Sequence, residues 1–297
     1  MTDAQPLKLS RLAYGFWRLN DWNIDTRGIL DRIHHCLDLG ITTLDHADIY
    51  GGYTVEEQFG RALRQEPSLR EKVQLVTKCG IIMPAEARPE FTYHYYDTSR
   101  QHVVASANRS LKLLGTDYLD LLLIHRPDPL MDPDEIAGAF DELHKAGKVR
   151  HLGVSNFTPS QVEILRKSMD LPLAVNQVEC SVMHMDPMHD GTLDQCQQLD
   201  ILPMAWSPFG GGELFGGDGA REQRLRVELE KVADETDAGG IDQVALAWLL
   251  KHPSKMVPVI GTGKLERITS AAAALDLELS REQWFRIWTA SAGHEVA

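Results

Sequence analysis

Residues 119–125 read LDLLLIH, an almost unbroken apolar run that ends in a histidine. Apolar side chains on both faces of a strand indicate burial on both faces, which is typical of a parallel sheet covered by helices. Comparable short apolar segments recur along the chain, and together they make eight predicted strands. The predicted strands are residues 10–17, 41–48, 75–78, 119–125, 150–156, 173–179, 201–207 and 256–263.

Helical patterns lie between these strands. Several begin near Asp, Ser, Thr or Pro and several end in Gly, as helix start and stop signals do. The predicted helices are residues 26–40, 55–65, 99–115, 133–147, 159–168, 192–200 and 241–251. Strict alternation of strand and helix implies parallel strands joined by right-handed crossovers. Eight such units in a chain of 297 residues match the size of a (β/α)8 barrel.

The alternative α/β architecture is an open, doubly wound sheet. That fold usually carries a GxGxxG turn after its first strand. The glycine-rich stretch GGGELFGG at 210–217 lacks this spacing, and no linker-like segment divides the chain. The sequence therefore predicts an α/β protein of the (β/α)8 TIM-barrel class. We expect a single domain over residues 1–297, with long loops at the C-terminal face of the strands.

The composition is that of an ordinary globular protein, and it limits the possible partners. The net charge of −13 argues against binding to nucleic acid or to an anionic membrane surface. No segment approaches the ~18 apolar residues of a membrane span, and the first ten residues lack the apolar core of a signal peptide. The four cysteines form no CxxC pair, so we expect reduced thiols, no metal site and a cytoplasmic protein. The sequence predicts no particular oligomeric state.

In a (β/α)8 barrel the active site lies at the C-terminal ends of the strands. Polar or aromatic side chains end most of the predicted strands or stand in the loops that follow them. In chain order these are Asp45, Tyr50, Lys78, His125, Ser155, Asn156, Gln177, Trp206 and Ser207. The first four make physical sense as a group that donates a proton.

A tyrosine titrates near pH ~10, too high for a good acid at neutral pH, and a neighbouring lysine ammonium lowers that value. Asp45 would keep Lys78 charged, and His125 could hydrogen-bond the substrate oxygen that Tyr50 protonates. Such a pocket would polarise a carbonyl group while hydride reaches its carbon. Because no side chain delivers hydride, a nicotinamide cofactor and a small-molecule carbonyl substrate are implied.

Seven stretches, taken in order, resemble the serial signatures of the aldo-keto reductase superfamily. They are LDHADIYGG (44–52), LVTKCG (75–80), LLLIHRPDP (121–129), GVSNF (153–157), NQVE (176–179), WSPFGGG (206–212) and VIGTGKLERI (259–268). The resemblance extends from about residue 8 to about residue 290 and is nearest to bacterial members with a DxADxYG strand end. It implies a barrel that binds NADPH in extended form without a Rossmann fold. It also implies reduction of aldehydes or ketones to alcohols by the tetrad Asp45, Tyr50, Lys78 and His125, with Tyr50 as the acid.

The resemblance also assigns residues to the cofactor. Ser155, Asn156 and Gln177 match residues that hydrogen-bond the nicotinamide carboxamide, and Trp206 stands where an aromatic ring stacks on the nicotinamide. Ser207, Phe209 and Gly210 match the segment along the pyrophosphate. Thr262, Lys264 and Arg267 match the residues around the 2′-phosphate, where Arg267 suits a bidentate contact. Gly15 and Trp17 are expected in the cofactor site as well.

The sequence departs from the family pattern at two places. His46 stands where many relatives have Thr or Ser. Ser270 and Ala271 stand where many relatives carry a Glu-Asn pair that contacts adenine, so adenine recognition is weaker here or carried by other residues. Asp48, in contrast to Asp45, is interpreted as a local turn residue.

The substrate side is expected in long loops. The loop 81–99 is rich in aromatic residues, and loops of this length usually have a function or are disordered. We expect Tyr93, together with Trp17 and Trp22, to line the substrate mouth, and Arg126 to attract an anionic substrate. Residues 183–189, MHMDPMH, suggest either a soft-metal site or a substrate-side loop, and we favour the loop. The stretch 210–219 is a mobile clamp over the cofactor or a plain flexible linker.

A second function is compatible with the same motifs. The superfamily includes cofactor-sensing regulatory subunits, such as potassium-channel β subunits, in which the bound nucleotide matters more than turnover. The sequence offers no tail or partner helix that favours this role. Catalytic carbonyl reduction is therefore the preferred hypothesis.

Overall fold

The computed structural model describes residues 7–297. Eight parallel strands form a closed barrel in the order β1, β10, β9, β8, β7, β6, β3, β2, which confirms the predicted (β/α)8 class. Two additional short strands, β4 and β5, pair with each other. The strands are β1 Ala13–Gly15, β2 Thr43–Asp45, β3 Gln74–Cys79, β4 Ile81–Ile82, β5 Tyr95–Tyr96, β6 Leu119–Ile124, β7 Val149–Ser155, β8 Leu173–Glu179, β9 Leu202–Trp206 and β10 Val257–Ile260.

Helices follow the barrel strands, as the sequence pattern predicted. They are α1 Thr26–Asp38, α2 Tyr50–Tyr53, α3 Val55–Gln65, α4 Arg100–Leu114, α5 Pro133–Lys145, α6 Pro159–Ser168, α7 Thr192–Gln198, α8 Glu213–Gly216, α9 Ala220–Glu235, α10 Ile241–Leu250, α11 Leu265–Ala273 and α12 Arg281–Ala292. Among these, the short helices α2 and α8 and the longer helices α9, α11 and α12 were not predicted. The segment of α9 is rich in charged residues, and only four of its side chains are buried, so its apolar periodicity is weak.

Contacts within the chain group into two compact units, residues 1–177 and 178–297. In the first unit the strands pair in parallel, and their register brings the ends of neighbouring strands to the same level. Gly15 lies opposite Asp45, and Ser155 lies opposite Gln177. Every residue of β6 is buried, as expected for a strand covered on both faces.

A cluster of charged and aromatic side chains lies where β3, β6 and β7 begin. The guanidinium groups of Arg70 and Arg150 lie 3.7 and 3.6 Å from the centre of the Tyr118 ring, so two cations contact this ring. Both arginines also pair with the buried Asp120, at 2.8 and 3.1 Å. Asp120 accepts a further hydrogen bond from the Leu75 backbone amide. The cluster lies at the strand end opposite the predicted active site, where a structural role is expected.

The second unit has its own apolar core around α9, α10 and α12. Trp248 and Trp284 stack with their ring centres 4.8 Å apart and nearly parallel planes. Each indole N–H donates to the backbone carbonyl of the other tryptophan at 3.0 Å. Both polar atoms are therefore satisfied, as buried tryptophans require.

The long loop 81–99 is more ordered than its sequence suggested. Its two ends pair as the antiparallel strands β4 and β5, with Ile81 opposite Tyr96 and Ile82 opposite Tyr95. Within residues 7–297 no helix has both the length and the apolar character needed to cross a membrane. In the same residues no three His, Cys, Asp or Glu side chains are grouped as metal ligands would be, and this includes the histidines of 183–189.

We predict that Asp120→Ala lowers the free energy of unfolding by about 3 kcal/mol, because it leaves the largely buried Arg70 guanidinium, 11% exposed, without its anion. Denaturant unfolding measures this loss. The matched control is Asp141→Ala, which removes an exposed carboxylate paired with Lys145 one helical turn away. Its cost should stay below about 0.5 kcal/mol. Equal losses in the two variants would contradict the structural role of the Asp120 cluster.

Candidate active site

The centre of the site is the ammonium group of Lys78, which is only 1% exposed. Its Nζ donates to both carboxylate oxygens of Asp45 at 2.9 and 2.8 Å and to the His46 carbonyl at 2.7 Å. A further contact of 3.1 Å joins Nζ to the hydroxyl oxygen of Tyr50. The structure thus brings together three of the four residues of the predicted tetrad through direct hydrogen bonds.

The ion pair between Lys78 and Asp45 keeps the lysine charged. Burial alone would lower the pKa of Lys78, but Asp45 and Tyr50 oppose burial and leave that pKa raised above its usual value. A buried ammonium is stable only beside an anion with good hydrogen-bond geometry. Asp45 supplies both, so Lys78 stays positively charged at neutral pH.

Tyr50 combines burial with the neighbouring cation. Burial raises the pKa of its phenol, and the charge and hydrogen bond of Lys78 act in the opposite direction. The sequence led us to expect a lowered pKa. The influence of Lys78 has the expected sign, but burial outweighs it, so the net pKa is raised. Tyr50 is therefore protonated at neutral pH, which is the form that a proton donor needs.

His125 is the fourth member of the tetrad and lies beside Tyr50, with ring centres 6.1 Å apart in an edge-to-face arrangement. Burial, and then the charges of Lys78 and Arg126, hold the pKa of His125 well below its usual value. The imidazole is therefore neutral at physiological pH. A neutral imidazole can hydrogen-bond a carbonyl oxygen without competing with Tyr50 as the acid.

A second set of polar residues supports the tetrad from the ends of β7 and β8. The Gln177 side-chain amide donates to Asp45 Oδ1 at 2.9 Å, which gives that carboxylate a donor besides Lys78. The Ser155 hydroxyl donates to the Gln177 carbonyl at 2.7 Å, and the Asn156 amide donates to Ser155 Oγ and to the His125 carbonyl. All three residues therefore lie within one hydrogen-bond network with the tetrad.

The turn after Tyr50 has an unusual backbone. Gly51, Gly52 and Tyr53 all have positive φ, at 57°, 64° and 70°. A Cβ atom on Gly51 would lie 2.5 Å from Asn20 Nδ2 and 2.8 Å from Val55 Cγ2, so a larger residue would have to displace these side chains as well as adopt a left-handed backbone. Tyr53 is not a glycine, and this conformation costs it about 1–3 kcal/mol. Its hydroxyl accepts a hydrogen bond from the Met83 backbone amide at 3.0 Å, which helps to offset that cost.

His46, the unexplained departure in the sequence, has a packing role. Its ring is fully buried, stacked on Phe16 at 4.7 Å and edge-on to Phe59 at 4.4 Å. Burial, and then the charge of Lys78, lower the pKa of His46 to about 3, so the ring is neutral. Its contribution to the site is the backbone carbonyl that accepts from Lys78.

Asp48 lies in a turn, as the sequence predicted, but it also belongs to a buried polar network. Its carboxyl is buried and accepts a hydrogen bond from Ser106 on α4. A second buried carboxyl, Glu56, accepts hydrogen bonds from Thr77 and Ser110. Sequence reasoning missed this network. The available signal was the spacing of Ser106 and Ser110, which places two hydroxyl groups one turn apart on the same face of a predicted helix.

The residues assigned to the substrate mouth differ in their surroundings. Trp17 is 59% exposed, with the Arg18 guanidinium 5.3 Å from its ring centre, and Tyr93 is 74% exposed. Trp22 instead packs against the buried rings of Tyr14 and Phe16. Arg126, which directly follows His125, is partly buried.

In the second unit, the residues assigned to the nicotinamide and the pyrophosphate lie at and just after the end of β9. Trp206 is the last residue of the strand. Ser207 has a φ of 50° and Gly210 a φ of 59°. A Cβ on Gly210 would lie 2.9 Å from Met183 Cβ, which explains the glycine there. The Phe209 ring contacts the Phe215 ring, with ring centres 5.3 Å apart.

The residues assigned to the 2′-phosphate lie at the N-terminus of α11. Lys264 occupies its N-cap position, and Arg267 is in its first turn. Both are exposed, and neither side chain forms an ion pair or hydrogen bond with another described residue. Thr262 Oγ1 accepts from the Lys264 backbone amide. Ser270 donates to Asp242 on α10.

Comparison with known proteins agrees with this geometry. Residues 11–291 match the model of the aldo/keto reductase family. The chain is 53% identical over 289 residues to oxidoreductase YdhF of Escherichia coli, covering 97% of this chain and 96% of that protein. It is 46% identical over 298 residues to a 6-dehydroglucose reductase of Agrobacterium fabrum, covering 99% and 98%. A solved aldo/keto reductase of Klebsiella pneumoniae, in complex with NADP and acetate, is similar with a TM-score of 0.78 and 26% identity, covering 94% and 90%. The chain belongs to the aldo/keto reductase family.

Proposed function

We propose that this oxidoreductase reduces aldehyde or ketone carbonyls to alcohols with NADPH, and that Tyr50 donates the proton. The observation that carries the proposal is the 3.1 Å contact between Lys78 Nζ and the Tyr50 hydroxyl, formed while Lys78 is paired with the buried Asp45. A phenol fixed beside a cation is stabilised when it begins to lose its proton. That stabilisation grows as charge develops, which is what accelerates a chemical step.

Each side chain has a separate task. Tyr50 gives its proton to the carbonyl oxygen, and Lys78 stabilises the phenolate that remains. His125 is neutral and hydrogen-bonds the same oxygen, which holds the carbonyl in place. Asp45 keeps Lys78 in position, and Gln177 orients the Asp45 carboxylate by donating to the same Oδ1 that accepts from Lys78. NADPH, when bound, supplies the hydride for the carbonyl carbon.

The residues of the first unit suit a nicotinamide carboxamide. This group presents one N–H2 donor and one carbonyl acceptor. Ser155, Asn156 and Gln177 carry hydroxyl and amide groups that can both donate and accept, and they lie in the network that contains the tetrad. Gly15, opposite Asp45 at the end of β1, and Trp17 two residues later remain proposed cofactor contacts.

In the second unit, Lys264 and Arg267 suit the 2′-phosphate that distinguishes NADPH from NADH. Two cations at a helix N-terminus, without ion-pair partners in residues 7–297, favour a phosphate group, and they are notable in a chain whose net charge is −13. We assign Thr262 to the same group. Trp206 is proposed to stack on the nicotinamide, and Ser207, Phe209 and Gly210 are proposed to contact the pyrophosphate.

For the substrate we propose a sugar-derived carbonyl compound, because relatives at 46% and 37% identity are named 6-dehydroglucose reductases. Exposed aromatic rings such as Trp17 and Tyr93 offer flat apolar surfaces on which a sugar ring can pack. Trp22 and Arg126 are assigned to the same side of the site. A panel of sugar aldehydes and simple aldehydes, each tested with NADPH and NADH, identifies the preferred class.

We predict that Tyr50→Phe lowers kcat for aldehyde reduction by about 10²–10⁴, the usual contribution of a general acid. The Kd for NADPH, measured by fluorescence titration, should stay within about threefold of wild type because the hydroxyl serves the chemical step. Undiminished turnover by the variant would contradict Tyr50 as the donor. Tight NADPH binding with negligible turnover in the wild type would instead favour a cofactor-sensing regulatory role.

We also predict that Arg267→Ala raises the KM for NADPH by about ten- to hundredfold, since a charge-assisted contact to phosphate is lost. The KM for NADH should change little, because that cofactor lacks the 2′-phosphate. Arg27→Ala, which removes an exposed arginine paired with Asp31 on α1, is the matched control. An equal rise in both KM values would show that Arg267 does not recognise the 2′-phosphate.

A further inference from the structure

Asp48 lies two residues before Tyr50, on the loop that joins β2 to the proton donor. Its backbone N–H donates to the Lys78 carbonyl at 3.0 Å, which fixes this loop against the strand that carries the lysine. The side chain is 3% exposed. Ser106 on α4 donates to Asp48 Oδ2 at 3.0 Å, whereas Oδ1 is buried without a hydrogen-bond partner in residues 7–297. A carboxylate with an unsatisfied buried oxygen is costly in its charged form.

A second buried carboxyl makes that cost larger. Glu56 on α3 is 1% exposed, and its two oxygens accept from Thr77 at 2.7 Å and from Ser110 at 3.0 Å. Arg109 on α4 is the cation whose charge acts on both carboxyls. No ion pair within 4.0 Å joins it to either of them in the described part of the chain. Two buried carboxylates that repel each other, neither of them in an ion pair within residues 7–297, do not both ionise readily.

The groups around Asp48 come from every element that packs against it. The charged and titratable groups that face it are Lys78 and Cys79 from β3, Glu56 from α3, Arg109 from α4, and Tyr50 and Tyr53 from its own turn. Burial, and then the charge of Glu56, raise the pKa of Asp48 to about 7, against the smaller influences of the Ser106 hydroxyl, Arg109 and the Ile49 backbone amide. A negative Asp48 in turn raises the pKa of Tyr50.

Building on the function proposed above, we propose that Asp48 is a positioning residue for Tyr50. When uncharged, its carboxyl packs the donor loop against β3 and α4. When charged, it opposes the phenolate that forms on Tyr50 as the proton leaves. Reduction should therefore be fastest while Asp48 is protonated and slower once it has ionised.

The test is the pH profile of kcat for aldehyde reduction with saturating NADPH. Wild-type kcat should fall about three- to tenfold between about pH 6 and about pH 8.5, with a midpoint near pH 7 and a plateau above it. Asp48→Asn cannot ionise, so its profile should be flat over this range. A fall of the same size and midpoint in Asp48→Asn would overturn the proposal.

Two further variants should move the midpoint in opposite directions. Glu56→Gln removes the like charge and should shift it to lower pH. Ser106→Ala removes a hydrogen bond that favours the charged carboxyl and should shift it to higher pH. The matched control is Glu57→Gln, which neutralises the adjacent exposed carboxylate of α3 and should leave the midpoint unchanged. Shifts of the same sign in Glu56→Gln and Ser106→Ala would count against the proposal.

Thermal unfolding gives a readout that does not depend on turnover. The folded pKa of Asp48 is raised, so wild type loses stability relative to Asp48→Asn as pH rises from about 4 to about 7, and the difference in Tm then levels off. A Tm difference independent of pH would contradict a buried, ionising Asp48. If the wild type shows no turnover, both the proposed function and the proposed role of Asp48 are overturned. If the wild type turns over and Asp48→Asn has the same pH profile of kcat, the role of Asp48 alone is overturned.

Discussion

The buried ion pair between Lys78 and Asp45 is the interaction on which the rest of the site depends. An ammonium group removed from water is stable only when an anion and further acceptors surround it. Asp45 provides two oxygens and the His46 carbonyl a third. These contacts hold the ammonium 3.1 Å from the Tyr50 hydroxyl, where its charge favours release of the proton. Burying this ion pair costs free energy, and the buried pair places a positive charge beside the Tyr50 hydroxyl.

The barrel makes this pair possible because parallel strands end at the same level. Asp45 is the last residue of β2 and lies opposite Val76 on the neighbouring β3, and Lys78 follows Val76 by two residues, just before the end of that strand. Gln177 on β8 reaches the same carboxylate from a strand far away in sequence. The loops supply backbone conformations that do not occur in regular strands. A turn of three left-handed residues, Gly51 to Tyr53, directly follows Tyr50, and the Tyr53 hydroxyl accepts from Met83 in the loop 81–99. Strain in the turn is thus located beside the proposed proton donor, as is common at functional sites.

The sequence was sufficient for the strand and helix alternation, since this depends on local patterns. It also led to the proposed tetrad, and the structure joins Asp45, Lys78 and Tyr50 by hydrogen bonds. The sequence was insufficient where contacts between residues far apart in the sequence determine which side chains are buried. The sequence placed Asp48 in a local turn, but it did not show that contacts from α3 and α4 bury the carboxyl beside Glu56. His46 departs from the Thr or Ser of many relatives, and in the structure its ring packs against Phe16 and Phe59. The pKa of Tyr50 is a further case, because burial cannot be measured from a motif.

The most direct test of this account is single-turnover hydride transfer to an aldehyde, starting from enzyme preloaded with NADPH. The variants are Lys78→Met and the double variant Asp45→Asn/Lys78→Met, which removes the ion pair without leaving a buried charge. We predict that both bind NADPH as wild type does and that hydride transfer slows by about 10²–10⁴ in each. Transfer at the wild-type rate in the folded double variant would contradict the central role of the ion pair.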